Sequence, residues 1–316
     1  MTDDVSIIVV SYNTREMTAF SVGSVLAETA ISSYELVVLD NASTDCSADE
    51  IAGRFPEVRV IASSKNLGFA AGNNVAAREA EGEYLLLLNP DTVVLDGAID
   101  KLVAFAEAHP DAGIYGGRTV FADGSLNPSS VWAKPTVWNA FCRAVGLSAV
   151  MKRSPLFNGD SYGGWDRDTV REVDIVSGCF LLIRRELWDK LGGFDTSYFM
   201  YGEDWDLCLR AKALGYRCLF CPEAEIVHYG GASEKVRADK LVRLFETKCR
   251  LYRQHWGPLQ ARILIALLKV WVIRSWATNA VANVFTKRRR VDEAKAWRDV
   301  WVRREEWAAV KNSGPE

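Results

Sequence analysis

Asp40, Asp91, Glu203, Asp204 and His228 are, by residue type and local setting, the residues that could do chemistry. Tyr201-Gly202-Glu203-Asp204-Trp205-Asp206 puts three carboxylates at what reads as a helix start. Capping alone explains acidic residues there. Yet Gly202 and the aromatic residues Tyr198, Phe199 and Tyr201 adjoin them, surroundings that seat a sugar and raise a carboxylate's basicity. One of Glu203 and Asp204 is therefore a candidate general base.

Asp91 closes Asn89-Pro90-Asp91 after the apolar run Leu85–Leu88. A carboxylate at a sheet edge can hold a divalent ion bridging a diphosphate, although an Asx turn explains the triplet equally well. Asp40 ends a second apolar run and could accept a hydrogen bond from a uracil or thymine imide. Asp45, a few residues on, is a support or a helix cap. Asn66-Leu67-Gly68-Phe69-Ala70-Ala71-Gly72-Asn73-Asn74 mixes small residues with amides, so a backbone could approach a nucleotide closely at a helix start; plain helix packing is the alternative. His228 ends the run Ala224–Val227 and taken alone reads as structural.

The elements that must position these residues follow a βαβ rhythm. Apolar runs at 5–10, 35–39, 58–61 and 84–88 alternate with helical stretches, and a further strand is expected over 173–183, then a helix from Arg185. Continuous apolar runs imply that both sheet faces are covered, so an α/β, doubly wound, mostly parallel sheet is predicted, its ligands at the strands' carboxyl ends. Ser11-Tyr12-Asn13, Asp40–Asp45 and Asn89-Pro90-Asp91 lie at such ends. A dinucleotide-binding dehydrogenase is disfavoured, because its Gly-rich turn should follow the first strand, where Ser11-Tyr12-Asn13 stands instead. Residues 118–172, broken by Asp123-Gly124, Asn127-Pro128 and Gly163-Gly164, read as a long excursion over the site.

Charge divides the chain. Residues 235–316 carry 19 Lys/Arg against 8 Asp/Glu and six of the eleven Trp, whereas residues 1–234 carry 19 against 33. An acidic body suits a metal-dependent site, and a basic Trp-rich tail suits anionic lipid or nucleic acid. Lys269, Arg274 and Lys287–Arg290 beside Trp271, Trp276, Phe285 and Trp297 follow the interfacial pattern, and no nucleic-acid-binding motif accompanies them. The apolar run 263–273, interrupted by Lys269, is too short and too charged to cross a bilayer. Self-association is the competing reading for the tail. The seven scattered Cys point to a reducing cytoplasm, with Cys218 and Cys221 as buried spectators of a strand.

Together, Val5–Asn13, Asp40–Asp45, Asn66–Asn73, Asn89-Pro90-Asp91, Gly192-Gly193-Phe194-Asp195, Gly202–Leu207 and His228 resemble the family 2, GT-A-fold inverting glycosyltransferases, in their rhamnosyltransferase-like branch. The resemblance covers roughly residues 5–232. It implies that Tyr12, Asp40 and Asn66 contact the nucleotide, with Ser11, Asn13, Gly68, Asn73 and Asn89 in the same nucleotide-sugar site. It further implies that Asp91 and His228 hold a divalent metal, Mg or Mn, with the diphosphate, and that Asp204 deprotonates the acceptor, Glu203 being the alternative base. Asn89 stands where the family has its first Asp, so metal binding there loses one charge.

The expected organisation is a catalytic domain over 1–233 and a helical tail over 234–316. The expected reaction moves a sugar from a dTDP- or UDP-sugar, dTDP-rhamnose by resemblance, to a polyprenyl-linked or polysaccharide acceptor at the inner face of the cell membrane. A soluble acceptor and a non-catalytic nucleotide-sugar-binding scaffold are the alternatives.

Overall fold

The computed structural model describes residues 4–30, 33–230, 237–285 and 291–309. Its strands are β1 (Val5–Ser11), β2 (Tyr34–Asp40), β3 (Arg59–Ala62), β4 (Tyr84–Leu88), β5 (Thr92–Val94), β6 (Ala112–Val120), β7 (Val131–Trp132), β8 (Arg171–Val173), β9 (Ile175–Val176), β10 (Phe180–Arg184) and β11 (Arg217–His228). Its helices are α1 (Arg15–Glu28), α2 (Ser47–Arg54), α3 (Gly68–Arg78), α4 (Ala98–Ala108), α5 (Val137–Val145), α6 (Leu147–Val150), α7 (Arg185–Leu191), α8 (Glu203–Ala213), α9 (Arg237–His255), α10 (Pro258–Phe285), α11 (Val291–Val302) and α12 (Arg304–Ala308).

The chain divides into two compact units, residues 1–132 with 166–233, and residues 133–165 with 234–316. The first is built on a sheet ordered β3-β2-β1-β4-β10-β6-β11-β5, with β8 on β11. Every residue of β1 is buried. Val5, Ile7 and Val9 join Val22 and Val25 of α1 and Leu102 of α4 in one core. On the opposite face Val10 lies so close to Gly72 of α3 that a Cβ there would stand 3.0 Å from it. Helices thus cover both faces, as continuous apolar strands require.

The sheet is α/β as expected but mixed rather than uniformly parallel. β1–β4 run parallel, whereas β10 runs antiparallel to both β4 and β6, and β5 and β8 are antiparallel to β11. A fully buried run such as Phe180–Ile183 has no alternation, so the sequence carries no sign of its direction. The single strand expected over 173–183 is three pieces, because Val176 leaves to pair with Val131 while Ser177–Cys179 turns before β10.

Residues 133–165, expected with the catalytic domain, pack with the tail instead. The Trp256 indole donates to the Pro135 carbonyl, and Arg143 lies 5.3 Å from the Trp271 ring centroid while pairing with Asp160. Phe245 gathers Trp271, Trp297 and Trp307 around it. Trp297 is therefore buried and Trp271 half-buried, both packed on Phe245 rather than standing out as an exposed aromatic belt. Lys287–Arg290 lie outside the described residues, as does the side chain of Phe285. The apolar run expected to be too short for a bilayer belongs to a continuous helix: Pro258–Asn283 is long and apolar enough to cross one by length and composition. Sequence inspection stopped the run at Arg274, but a helix carries an isolated charge without ending.

Candidate functional site

The loops after β1, β2 and β3 are tied to one another by short polar side chains. Asn13, in the left-handed region at φ 52°, accepts from the Thr44 N–H at 2.8 Å, while its own N–H donates to Ser43. Asp45 accepts from the N–H groups of Arg15 and Ser47, the first residues of α1 and α2. Burial opposes the Asp45 charge, but hydrogen bonds from Ser47 and the Arg15 backbone outweigh it and hold the carboxyl below its ordinary range. The capping reading of Asp45 thus extends to two helices.

Asn41 staples the third loop. Its amide accepts from the Leu67 N–H at 2.7 Å and donates to Asn66 and to the Gly68 carbonyl. The N–H groups of Gly68 and Phe69 are taken by Asn66 and by the Phe199 carbonyl. The start of α3 therefore spends its donors on the protein rather than on a phosphate. Gly68 has φ +80°, and a Cβ there would lie 2.4 Å from the Phe199 carbonyl oxygen; close chain approach is enough to require this glycine.

Among the nucleotide candidates, Tyr12, Asn13 and Asn66 are exposed beside this network. Asp40 is buried, accepts from the Ser43 N–H through Oδ2, and leaves Oδ1 with no partner. An orphaned carboxylate oxygen at the end of a parallel strand is a prepared acceptor. Ser11 and Asn73 make their hydrogen bonds within the protein. The Ser11 hydroxyl is buried between Thr14 and Thr18, and the Asn73 amide donates to the Phe69 carbonyl within its own helix. A short polar side chain serves an internal network as readily as a ligand.

The other half of the site forms where β5 pairs with β11. Their register sets His228 opposite Thr92, so Asp91, just before β5, meets the imidazole. His228 Nε2 lies 3.3 Å from Asp91 Oδ1 and 3.3 Å from Asn89 Nδ2. Nε2 thus faces a carboxylate acceptor and an amide donor at once, and one proton cannot serve both. Nδ1 is buried without a partner. Burial disfavours the imidazolium, but the Cys179 sulfur and the Asp91 carboxylate favour it and push His228 up to about 10.

Residues 178 and 179 join this pair to the start of α8. The Gly178 N–H donates to Asp204 Oδ2 at 2.9 Å, while the Cys179 carbonyl accepts from the Asn89 N–H at 3.1 Å. The second Asp204 oxygen accepts from the Trp205 N–H. Glu203 is buried with Oε2 unpartnered; burial first, then the Asp204 charge, raises its carboxyl well above the ordinary range. Asp206 pairs with Arg210, which also donates to the Leu191 and Gly193 carbonyls, and Asn74 bonds both ways with Phe194. Asn41, Asn74 and Gly178 carried no role in the sequence reading. Asn41 and Asn74 lay inside quoted segments, whereas nothing in the sequence marks Gly178.

Asp91 and His228 are a pair: among the described residues no group of three or more His, Cys, Asp or Glu is gathered for a metal ion. One carboxylate and one imidazole still suit Mg²⁺ or Mn²⁺, which take few protein ligands when phosphate oxygens and water complete the shell.

Residues 6–192 match the family described as Glycosyl transferase family 2. The chain is 32% identical over 205 residues to the N-acetylglucosaminyl-diphospho-decaprenol L-rhamnosyltransferase of Mycobacterium tuberculosis, covering 61% of this chain and 66% of that protein. It is 29% identical over 263 residues to the O-antigen biosynthesis protein RfbC of Myxococcus xanthus, covering 81% of this chain but only 20% of the relative. It likewise spans 25% of a 30%-identical uncharacterized protein, y4gI, from Sinorhizobium fredii. In fold it is similar to the mannosyltransferase PcManGT of Pyrobaculum calidifontis, solved in complex with GDP-Man and Mn²⁺, with TM-score 0.60, 18% identity and coverage of 97% of this chain and 88% of that one. With the sheet, its loops and more than half the chain in agreement, this protein belongs to glycosyl transferase family 2.

Proposed function

We propose that this protein is an inverting glycosyltransferase that moves a sugar, rhamnose from dTDP-rhamnose as the first choice, from a nucleoside diphosphate to a polyprenyl-diphosphate-linked or envelope polysaccharide acceptor. One observation carries the chemistry: the adjacent residues Gly178 and Cys179 bond Asp204 on one side and the Asn89–Asp91 turn with His228 on the other. A base for the acceptor is thereby fixed with respect to the residues suited to the leaving diphosphate.

In this reading Asp40 Oδ1 accepts the imide N–H of a uracil or thymine ring, satisfying an oxygen that otherwise stands bare. Asp204, half-exposed and held by two backbone N–H groups, takes the proton of the acceptor hydroxyl as that oxygen attacks the anomeric carbon. The bond from that carbon to the diphosphate oxygen breaks on the opposite side, so configuration inverts. Glu203 is buried and that burial raises its carboxyl, which favours Asp204 over it for the base role. Asp91 and His228 would hold a divalent Mg or Mn, which when bound neutralises charge developing on the diphosphate. The mycobacterial relative's name supports rhamnose and a polyprenyl diphosphate acceptor; the basic second unit and the long apolar α10 support attachment to a membrane surface.

Nucleoside diphosphate release is the test, measured over dTDP-, UDP- and GDP-sugars with membrane lipid extract as acceptor. Release from one donor, reduced by about 10²–10⁴-fold in Asp204→Asn with donor binding retained, is expected. Donor binding without turnover in the unaltered protein would favour the scaffold alternative instead.

A further inference from the structure

The second unit contains a groove that the reaction does not use. It has a volume of 540 Å³ and lies between the end of α9 and the first half of α10, with Trp256, Ile265 and Ala266 among its apolar lining and Arg253, Arg262 and Lys269 on it. Among the described residues no carboxylate lines it. Arg253 donates through one Nη to the Ala308 carbonyl, while its other Nη is buried with no partner. Lys134 stands over the Trp256 ring, 5.1 Å from its centroid. Three cations around an apolar floor, one with an unused buried donor, call for an anion that carries hydrocarbon.

The same helix supplies the hydrocarbon's path. Ala261, Leu264, Leu268 and Val272 are its buried stripe, whereas Leu259, Ile263, Ala266, Val270 and Ile273 recur at spacings of four and three and are exposed. Ala266 belongs to both groove and stripe, so the cationic groove opens along an apolar face.

We propose that this groove seats the phosphodiester headgroup of an anionic membrane phospholipid, with the exposed stripe of α10 lying against the acyl chains. The proposal rests on the membrane-surface reading above and gives it a site. It differs from the aromatic belt expected from the sequence, because Trp271 and Trp297 are spent on the core around Phe245. Charge complementarity and the adjoining apolar stripe favour this occupant: a second copy packed groove to groove would bring like cations together, and a neutral surface would leave the unused Arg253 donor without an acceptor.

Flotation of the full chain with phosphatidylcholine vesicles, with and without phosphatidylglycerol, tests this. Arg262→Glu with Lys269→Glu should weaken partitioning to the anionic vesicles by at least about tenfold. Lys295→Glu with Arg298→Glu, the same charge change on the exposed side of α11, should weaken it much less. Ile263→Ser should weaken it too, and inorganic phosphate should not release the chain. Thermal melts of each variant check that the fold survives. Equal loss in both double variants means net charge alone and overturns the groove, as does release by inorganic phosphate. Flotation untouched by the groove variants overturns the groove while leaving membrane attachment standing. A chain that turns over donor yet binds neither vesicle overturns both. If Ile263→Ser instead breaks a dimer without changing flotation, the stripe is a self-association face and the proposal fails.

Discussion

The two halves of the candidate site treat their polar groups in opposite ways. Around β1–β3, side chains satisfy one another: Asn13 with Thr44, Asp45 with two helix starts, Asn41 with Asn66 and Gly68, while Asp40 Oδ1 stands without a partner. Around β5, β11 and α8, polar groups are left short: His228 Nδ1 and Glu203 Oε2 are buried without partners, and His228 Nε2 is contested. The first half is a finished scaffold, and the second holds unmet capacity that a substrate and its counter-ion can fill.

If that contrast is right, variants in the second half should change turnover more than melting temperature. His228→Ala or Asp91→Asn should lower turnover by about 10²–10³-fold, the scale of losing one stabiliser of transition-state charge. Proton linkage sharpens the point. A raised His228 stabilises the fold fully below the free value of 6.5 and loses that contribution as pH rises to about 10. Metal binding needs the neutral imidazole, so Mn²⁺ affinity measured by calorimetry should climb across the same window; affinity flat in pH would remove His228 from the ligand set.

The orphan of the first half should behave as a reader of the base. Asp40→Asn should cost about 1.5–3 kcal/mol of uridine or thymidine diphosphate affinity, the worth of a hydrogen bond to a charged group. Guanosine diphosphate binding should hold, and equal loss for both nucleotides would make Asp40 structural. Scaffold variants should do the reverse. Gly68→Ala, strained at φ +80° and against the Phe199 carbonyl, should destabilise by about 1–3 kcal/mol in denaturant melts. Asp45→Ala should cost about 1 kcal/mol, the usual value of a helix cap. That contribution is present above the unfolded value of 3.8 and is lost as pH falls through the depressed folded one.

Legibility in the sequence followed the same division. The β1, β2 and β4 runs and the loops after them were readable because buried parallel strands are continuous in composition and their polar ends stand out. Asp91 and His228 were paired only by resemblance, since their contact depends on the antiparallel register of β5 and β11. Nothing local encodes a partner more than a hundred residues away. The reversal of β10 was invisible for a related reason: Phe180–Ile183 reads the same in either direction. The internal bonding of Ser11 and Asn73 was not readable because a buried hydroxyl or amide looks in sequence like an exposed one. The packing of 133–165 with the tail rests on side-chain meetings such as Trp256 with Pro135 that no periodicity announces.

The His228 contact also sets an order of assembly. Within the scaffold half, Asn41 meets Asn66 and Asn13 meets Thr44 over separations of 25 and 31 residues, whereas Asn89 meets His228 across 139. Chain entropy makes the longer closure costlier by about 1.3 kcal/mol than the 31-residue one. On a growing polypeptide the nucleotide loops are also complete before residue 228 has been made. In the proposed reading, a nascent chain would pass through a stage that can hold a nucleotide but cannot yet transfer a sugar, and the last strand to join the sheet is the one that arms it.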